Sequence, residues 1–406
     1  MNLSLFLSKK LIPKNSSSVS KPVVGIAVAS VALGICILLL TFAITAGFRS
    51  EIRNKVIGFG SHIEVAHFDN NNSYESSPIF INTDLVASLR QIPGVAKIQP
   101  FTTKAGIVKT ENDVEGIVFK GINADYDSLF FMKNLVKGNF IKLSDSAVSN
   151  EVIISETLAK KLQLGVGQKF TAFFIQNPVR QRAFTIVGIY NTGLKEYDKT
   201  YIVCDMAHLQ KLNDWRKDCV GGLEILIDDF DKIDRINEQV SDVLPYDLQS
   251  STIIERNRDI FDWISLFDQN VLILVILVIV ISGVSLISTQ LILSLEHIST
   301  IGLLKALGCT TANIRNIFLL LSARILGWGL LLGNATGLLF CFLQNRFHLI
   351  TLNPDNYYVP YVPIDVQWRH IVLINLAAVL VSLSVLIIPA HFVARRTSAI
   401  SALRMD

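Results

Sequence analysis

Val23–Phe48 runs for 26 positions without a charged side chain, and Val271–Leu295 repeats this over 25. Ile325–Asn345 adds 21 such positions and Ile371–Ala390 another 20. A helix crossing the hydrocarbon core needs about 20 predominantly apolar residues, and lipid leaves no other spanning choice for a single segment. Four runs of this kind exclude a purely soluble fold and predict four transmembrane helices. The first run exceeds the roughly 7–15 residues of a signal-peptide core, so it is read as a retained anchor.

Charge locates what lies between the runs. Only 17% of the 406 residues are charged, against about a quarter in soluble proteins. Residues 49–268 hold 25 Lys+Arg and 30 Asp+Glu, whereas the other 186 residues hold 12 basic and 4 acidic side chains. A mildly acidic domain is therefore set in a basic, nearly charge-free remainder, and neither part carries the basic stripe that nucleic acid requires. The short polar segments orient the chain. Lys9, Lys10, Lys14 and Lys21 precede the first run, Lys305 and Arg315 follow the second, and Arg395, Arg396 and Arg404 follow the fourth. The positive-inside rule puts these three segments in the cytoplasm, with both termini, and exports residues 49–262. Of the five cysteines, only Cys204 and Cys219 share the exported side, so a disulfide there, if formed, joins these two.

The expected organisation is a tail over 1–22, a first transmembrane helix over 23–48, and the exported domain over 49–262. A helical region over 263–406 follows, with membrane helices near 271–295, 317–345 and 371–390. Within the exported domain, Ile63–Ala66, Thr83–Gln91 and Val95–Thr102 read as strand, helix and strand. Leu223–Ile227, Asp231–Val243 and Asp247–Ser251 echo that pattern, as in a split ferredoxin-like sandwich. Between the halves, a β-rich insertion over about 119–220 reads as a second lobe, with strands at 152–154, 169–174, 184–190 and 201–203. The predicted fold class is thus an α-helical membrane protein with four spans and a two-lobed α+β domain outside. Asp69 opens a polar loop, "DNNNSYESSP".

Catalytic motifs are missing from this reading. No G-x-x-x-x-G-K-[ST] phosphate loop and no H-E-x-x-H occur. His62 and His67 are five apart on an expected strand and point to opposite faces, so no metal site is expected. Gly329, Gly333 and Gly337 recur every fourth residue and predict a face for close helix packing. Asn334 is expected to bond a neighbouring helix, and Arg324 to reach for the membrane surface. Between the second and third runs, Ile298, Ile301, Leu304 and Leu307 fall three apart, Gly308 offers a left-handed cap, and Thr310 or Thr311 can open the next helix. That short helix has too few cations for a lipid-surface helix and better suits a protein groove.

Here the sequence resembles the permease subunits of ATP-binding-cassette machines of the FtsX-like, macrolide-exporter type. "TIGLLKALGCTTANIRNIF" is similar to that family's coupling segment, and "IPAHFVARRTSAISALR" to its ending. Within the family, "ITAGFRSEIRNKVIGFGSHIEV", "EVIISETLAKKLQLGVGQKF", "ERNRDIFDWISLFDQNV" and "LNPDNYYVPYVPIDV" resemble the lipoprotein-releasing permeases. One of two paralogous relatives carries a long hairpin that recruits a carrier; the matching connection here is only Ile175–Arg182.

The resemblance implies an inner-membrane permease that lifts lipoproteins from the bilayer for a periplasmic carrier. No cofactor is expected on this chain; ATP and magnesium belong to a separate ATPase dimer. Ile298, Ile301, Gly302, Leu304, Lys305, Leu307 and Gly308 would couple to that ATPase. Phe42, Phe48, Ile264, Phe267 and Leu272 would line an acyl cavity, with membrane lipid around it. The further partner is a second copy or a paralogue. Two alternatives share the same coupling segment: a mechanotransmitter activating a periplasmic hydrolase, and a small-molecule or peptide exporter.

Overall fold

The computed structural model describes residues 20–69, 74–110, 113–144 and 147–396. Most of the basic N-terminal tail, part of the loop after Asp69 and the segment beyond Arg396, with Arg404, lie outside the described residues. The chain forms two compact units. One is a helical unit of 1–50, 263–351 and 361–406; the other is a sheet unit of 51–262 with 352–360.

Five helices define the helical unit: α1 (Ser20–Gly60), α2 (Arg258–Glu296), α3 (Ile298–Ala306), α4 (Thr311–Phe347) and α5 (Trp368–Arg396). The long ones are α1, α2, α4 and α5, and each is long and apolar enough to cross a membrane. With 41 and 39 residues, α1 and α2 exceed the span requirement twofold. At 1.5 Å per residue each approaches about 60 Å, against a hydrocarbon core of about 30 Å. Both helices therefore run on beyond the apolar stretches bounded by Phe48 and Val271, as expected for helices that continue through Phe48–Lys55 and Arg256–Phe267. Both helices pass unbroken through the division between the units.

The glycine face of α4 meets α1. A methyl group at Gly333 would lie 2.6 Å from the Ala32 carbonyl oxygen, and one at Gly329 would lie 2.5 Å from Val31 Cγ1. At Gly337 the nearest atoms, on Leu39 and Cys36, are at ordinary contact distance. The close approach is thus concentrated at two of the three glycines. On α1, Gly34 faces α2, with Ser282 Oγ 2.8 Å from where its Cβ would be; nothing lies within 4 Å of Gly25. Asn334 and Asn375 exchange side-chain hydrogen bonds of 2.7 and 3.0 Å, tying α4 to α5. Each amide also donates to the carbonyl four residues back, so both side chains stay paired in a medium that offers no water.

The sheet unit contains β1 (Ile63–His67), β2 (Ile79–Phe80), β3 (Val95–Lys109), β4 (Val114–Ile122), β5 (Leu135–Gly138), β6 (Glu151–Ser155), β7 (Lys169–Phe174), β8 (Arg180–Tyr190), β9 (Tyr201–Asp205), β10 (Cys219–Val220), β11 (Gly222–Ile227) and β12 (Leu248–Thr252). Ten of them form one mixed sheet, ordered β12-β1-β11-β3-β4-β9-β6-β8-β5, with β7 pairing β3 and β8. The pairs β4–β9 and β6–β8 are parallel. The inserted strands are therefore hydrogen-bonded into the same sheet as the flanking halves. The reason is β3, whose 15 residues pair with β11 through Phe101 and with β4 beyond it. Under the inserted strands, Phe119 packs against Phe174 and Phe184 with ring centroids 5.1 and 5.4 Å apart. Ser155 caps the helix Glu156–Leu162 by accepting from Leu158 N at 3.0 Å. Cys204 and Cys219 are both buried free thiols.

Gly333→Val is expected to destabilise the helical unit by about 1–3 kcal/mol through overpacking against Ala32. Gly327→Ala, at a position with open space, is the matched control. Unfolding of the purified chain in a detergent titration checks the difference.

Candidate functional site

Thr310 caps α4 through a hydrogen bond from Asn313 N, and Gly308 takes a φ of +88° after α3, so the segment has the caps its sequence announces. Its apolar side is another matter. Ile301 and Gly302 are buried inside the helical unit, where Ile301 joins a core with Leu293, Ile314 and Phe318. They are occupied by the chain's own packing and present nothing to a partner. Ile298, Leu304 and Lys305 are half-buried, and Leu307 and Gly308 are exposed. The apolar side chains open to a partner are Leu303, 55% exposed, and Leu307, 76% exposed. Leu303 was not among the expected residues. The i, i+4 spacing of Leu303 and Leu307 is the signal that a three-residue count passes over.

Among the residues expected for an acyl cavity, Phe42 lines a cavity. That cavity, of about 130 Å³, lies among α1, α2, α4 and α5. Phe48 and Phe267 stack on each other at 5.5 Å, with Phe48 buried and Phe267 half-buried. Ile264 is buried and Leu272 points outward, 60% exposed. The rest of its lining is mostly Val, Ile and Leu, with Gly34, Ser282, Gly283, Ala377, Ala378 and Ser382 among them.

A polar cluster at the end of α1 in the sheet unit was also not anticipated. Glu64 on β1 and Glu224 on β11 are directly opposite across the ladder, an arrangement that repels unless both charges are met. Lys120, its side chain 4% exposed, donates to Glu224 at 2.6 Å and to the carbonyl of Phe59. Arg256 donates to Glu64 and, at 2.6 Å, to the carbonyl of Gly60. Gln99 donates to Glu224 at 3.0 Å and accepts from Asp127 N at 3.0 Å. Each cation thus neutralises one glutamate and satisfies one carbonyl at the C-terminus of α1, where the helix dipole favours positive charge. Rings of Phe59, Tyr126 and Phe101 lie 5.1 to 5.8 Å from Lys120 Nζ. Burial, reinforced by Glu224, pushes the Tyr126 hydroxyl well above its usual titration range and keeps it a donor.

Arg256 closes a four-residue helix, Ile253–Arg256, that opens on a capping box between Thr252 and Glu255 and immediately precedes α2. The cluster therefore holds the last turn of α1 and the approach to α2 on the same sheet. Nearby, Lys55 donates to the Tyr358 carbonyl at 2.8 Å, which fastens residues 352–360 into the sheet unit. Gly193, with φ +73°, lies so close that a methyl there would be 2.8 Å from Lys55 Nζ. Asp198 orders that turn by accepting from Thr192 Oγ1 at 2.8 Å and Gly193 N at 3.1 Å, and burial raises its carboxyl pKa. Among the described residues no group of three His, Cys, Asp or Glu side chains is placed to hold a metal.

Residues 24–243, more than half of the chain, match the MacB-like periplasmic core domain. The chain belongs to that family. Residues 272–397 match the FtsX-like permease C-terminal family. The chain is 24% identical over 396 residues, 93% of each chain, to the lipoprotein-releasing system transmembrane protein LolC of Xylella fastidiosa strain 9a5c. It is 23% identical over 403 residues, 94% of each, to LolC of Neisseria meningitidis serogroup B. With LolE of Haemophilus influenzae it shares 21% over 385 residues, 90% of each. The periplasmic core match takes in α1 and the sheet up to the helix Ile233–Val243, and the permease match takes in most of α2, then α3 and the last two spans.

Removing the cation from the polar cluster leaves a buried charge. Lys120→Met is expected to destabilise the periplasmic core domain by about 3–5 kcal/mol, with most of the loss recovered in Lys120→Met/Glu224→Met. Thermal unfolding of the full chain in detergent, followed by Trp fluorescence, reads both.

Proposed function

We propose that this chain is the permease subunit of an ATP-driven complex that releases lipoproteins from the inner membrane to a periplasmic carrier. The observation that carries this reading is the alignment with LolC and LolE relatives across nine-tenths of both chains. The strand order β12-β1-β11-β3, with its two flanking helices, supports reading that part as a split ferredoxin-like sandwich. In this account the sheet domain faces the periplasm, and α3 faces the cytoplasm with both termini.

Extracting an acylated protein costs about 0.8 kcal/mol per methylene returned to water, or tens of kcal/mol for two or three chains. A chain without nucleotide chemistry of its own must draw this from a partner. The partner is an ATPase dimer that binds ATP and magnesium and grips α3 at Leu303 and Leu307. Half-buried Ile298, Leu304 and Lys305 flank that grip, while Ile301 and Gly302 pass the push into the bundle. Helices α1 and α2, each continuous from the span into the sheet unit, carry the displacement outward as rods. Lys120 and Arg256 keep the far end of α1 fixed to the sheet. The complex is completed by a second copy or a paralogue. The turn from Ile175 to Val179, shorter than a recruiting hairpin, leaves carrier contact to the partner permease.

Depletion of the chain should leave mature lipoproteins in the inner membrane, measured by membrane fractionation; unchanged sorting would overturn the reading. Leu303→Asp/Leu307→Asp should abolish co-purification of the ATPase while the four spans still insert. Retained ATPase would remove α3 as the coupling element.

A further inference from the structure

Lys55 lies beyond the apolar run of α1, on the part of that helix that belongs to the sheet unit. The carbonyl it donates to, that of Tyr358 at 2.8 Å, belongs to the outer loop between α4 and α5. Gly193 forms the other side of the slot. A methyl there would lie 2.8 Å from Lys55 Nζ and 3.1 Å from the Tyr358 oxygen, at a φ of +73° that side chains rarely adopt. Tyr358 itself takes a φ of +60°, just after the short helix Pro354–Tyr357, and Val359 beside it is buried. A non-glycine residue keeps that conformation where its surroundings impose it. The tip of the loop is shaped by the slot that receives it.

Below the tip the loop is a paired stem. Val362 N donates to the Ile350 carbonyl, Thr351 bridges Tyr361, and Leu352 N donates to the Pro360 carbonyl. Gln344, buried on the last turn of α4, donates to the carbonyls of Ile350 and Val362 and accepts from Ile350 N. One side chain thus fixes both arms to the end of α4. Closer to α5, Asp365 N donates to the Ala43 carbonyl, and a methyl on Gly47 would strike the Pro363 carbonyl. The arms up to Thr351 and from Tyr361 belong to the helical unit, whereas 352–360 belong to the sheet unit. The chain therefore crosses between the units along this stem as well as along α1 and α2, and the stem meets α1 again at Lys55.

Within the span, α1 is held to α4 where Ala32 faces Gly333. Lys55 lies about 35 Å further along the same helix at 1.5 Å per residue, a length over which a helix can bend or twist. We propose that Lys55 and Gly193 are positioning residues that hold the Tyr358 carbonyl throughout the ATP cycle, so that the α4–α5 loop guides the outer part of α1. The loop supplies no displacement of its own; α1 supplies it, and the loop keeps it from being lost in bending and twisting. Its part in lipoprotein release rests on the function proposed above, whereas the guiding contact does not.

The test uses the whole complex in proteoliposomes, with lipoprotein release and ATP hydrolysis read in one sample. Hydrogen exchange of the 352–360 amides is read with and without ATP. Lys55→Met removes the donor and Gly193→Ala crowds the slot; each should lower release per ATP about three- to tenfold with hydrolysis unchanged. Lys55→Arg, which keeps a donor for the carbonyl, should recover most of the loss. A further variant inserts Gly-Gly after Thr351 and again after Pro360, slackening the stem while the slot keeps its residues. It should lose coupling to the same extent with 352–360 still protected, a result that an anchoring role alone would not produce. In the parental complex these amides should stay protected when ATP is added. Parental release per ATP in the slackened variant would overturn the proposal even if Lys55→Met failed to assemble. Loss of protection at 352–360 on adding ATP would overturn it too, since a guide that opens guides nothing. If the parental complex releases no lipoprotein, the release function falls, and the exchange result alone decides whether the contact is held.

Discussion

The C-terminus of α1 is the constraint on which the rest depends. A helix of 41 residues ending at Gly60 leaves carbonyls that need partners, and the sheet next to it brings two glutamates face to face. Either feature alone would destabilise the domain. Lys120 and Arg256 resolve both, each reaching one carbonyl and one carboxylate. Because Lys120 and Glu224 are almost wholly buried, neither can leave without stranding the other. The end of a membrane helix is thereby made part of a sheet.

In the membrane the same helix is held by shape instead of charge. Gly329 and Gly333 let the α4 backbone approach α1, where a single methyl would meet Ala32 or Val31. Beside α5 a cleft remains, lined by Ser282, Gly283, Ala377 and Ala378 as well as by Val, Ile and Leu side chains. Small residues thus do two things in one bundle: they allow contact along α1–α4 and leave room beside α5.

How far the sequence disclosed this depended on whether the signal was local. The four spans fall on the apolar runs, with α1 and α2 extending well beyond them, and the Thr310 and Gly308 caps and the strands and helices around Ile63 and Gly222 formed within a few residues of expectation. The bonding of Asn334 was legible because an amide in lipid must find a partner. What failed to show was pairing at long separation. Nothing local announces that Lys120 meets Glu224, 104 residues away, or that β3 runs on to join the insertion to the same sheet. The apolar residues of α3 were visible, but which side the bundle would cover was not, so Ile301 stood beside Leu307 in the expectation. Phe48 and Phe267 were visible as large rings, yet only packing revealed that they stack on each other.

The central claim is that α1 transmits displacement because it is unbroken between the two units. Inserting Gly-Ser-Gly-Gly between Ser50 and Glu51 interrupts the helix there while leaving α3, the cleft and the polar cluster unaltered in sequence. The decisive measurement is lipoprotein release from proteoliposomes containing the complex, read beside ATP hydrolysis in the same sample. The account predicts hydrolysis that continues with release abolished. Release at the parental rate per ATP consumed would contradict it.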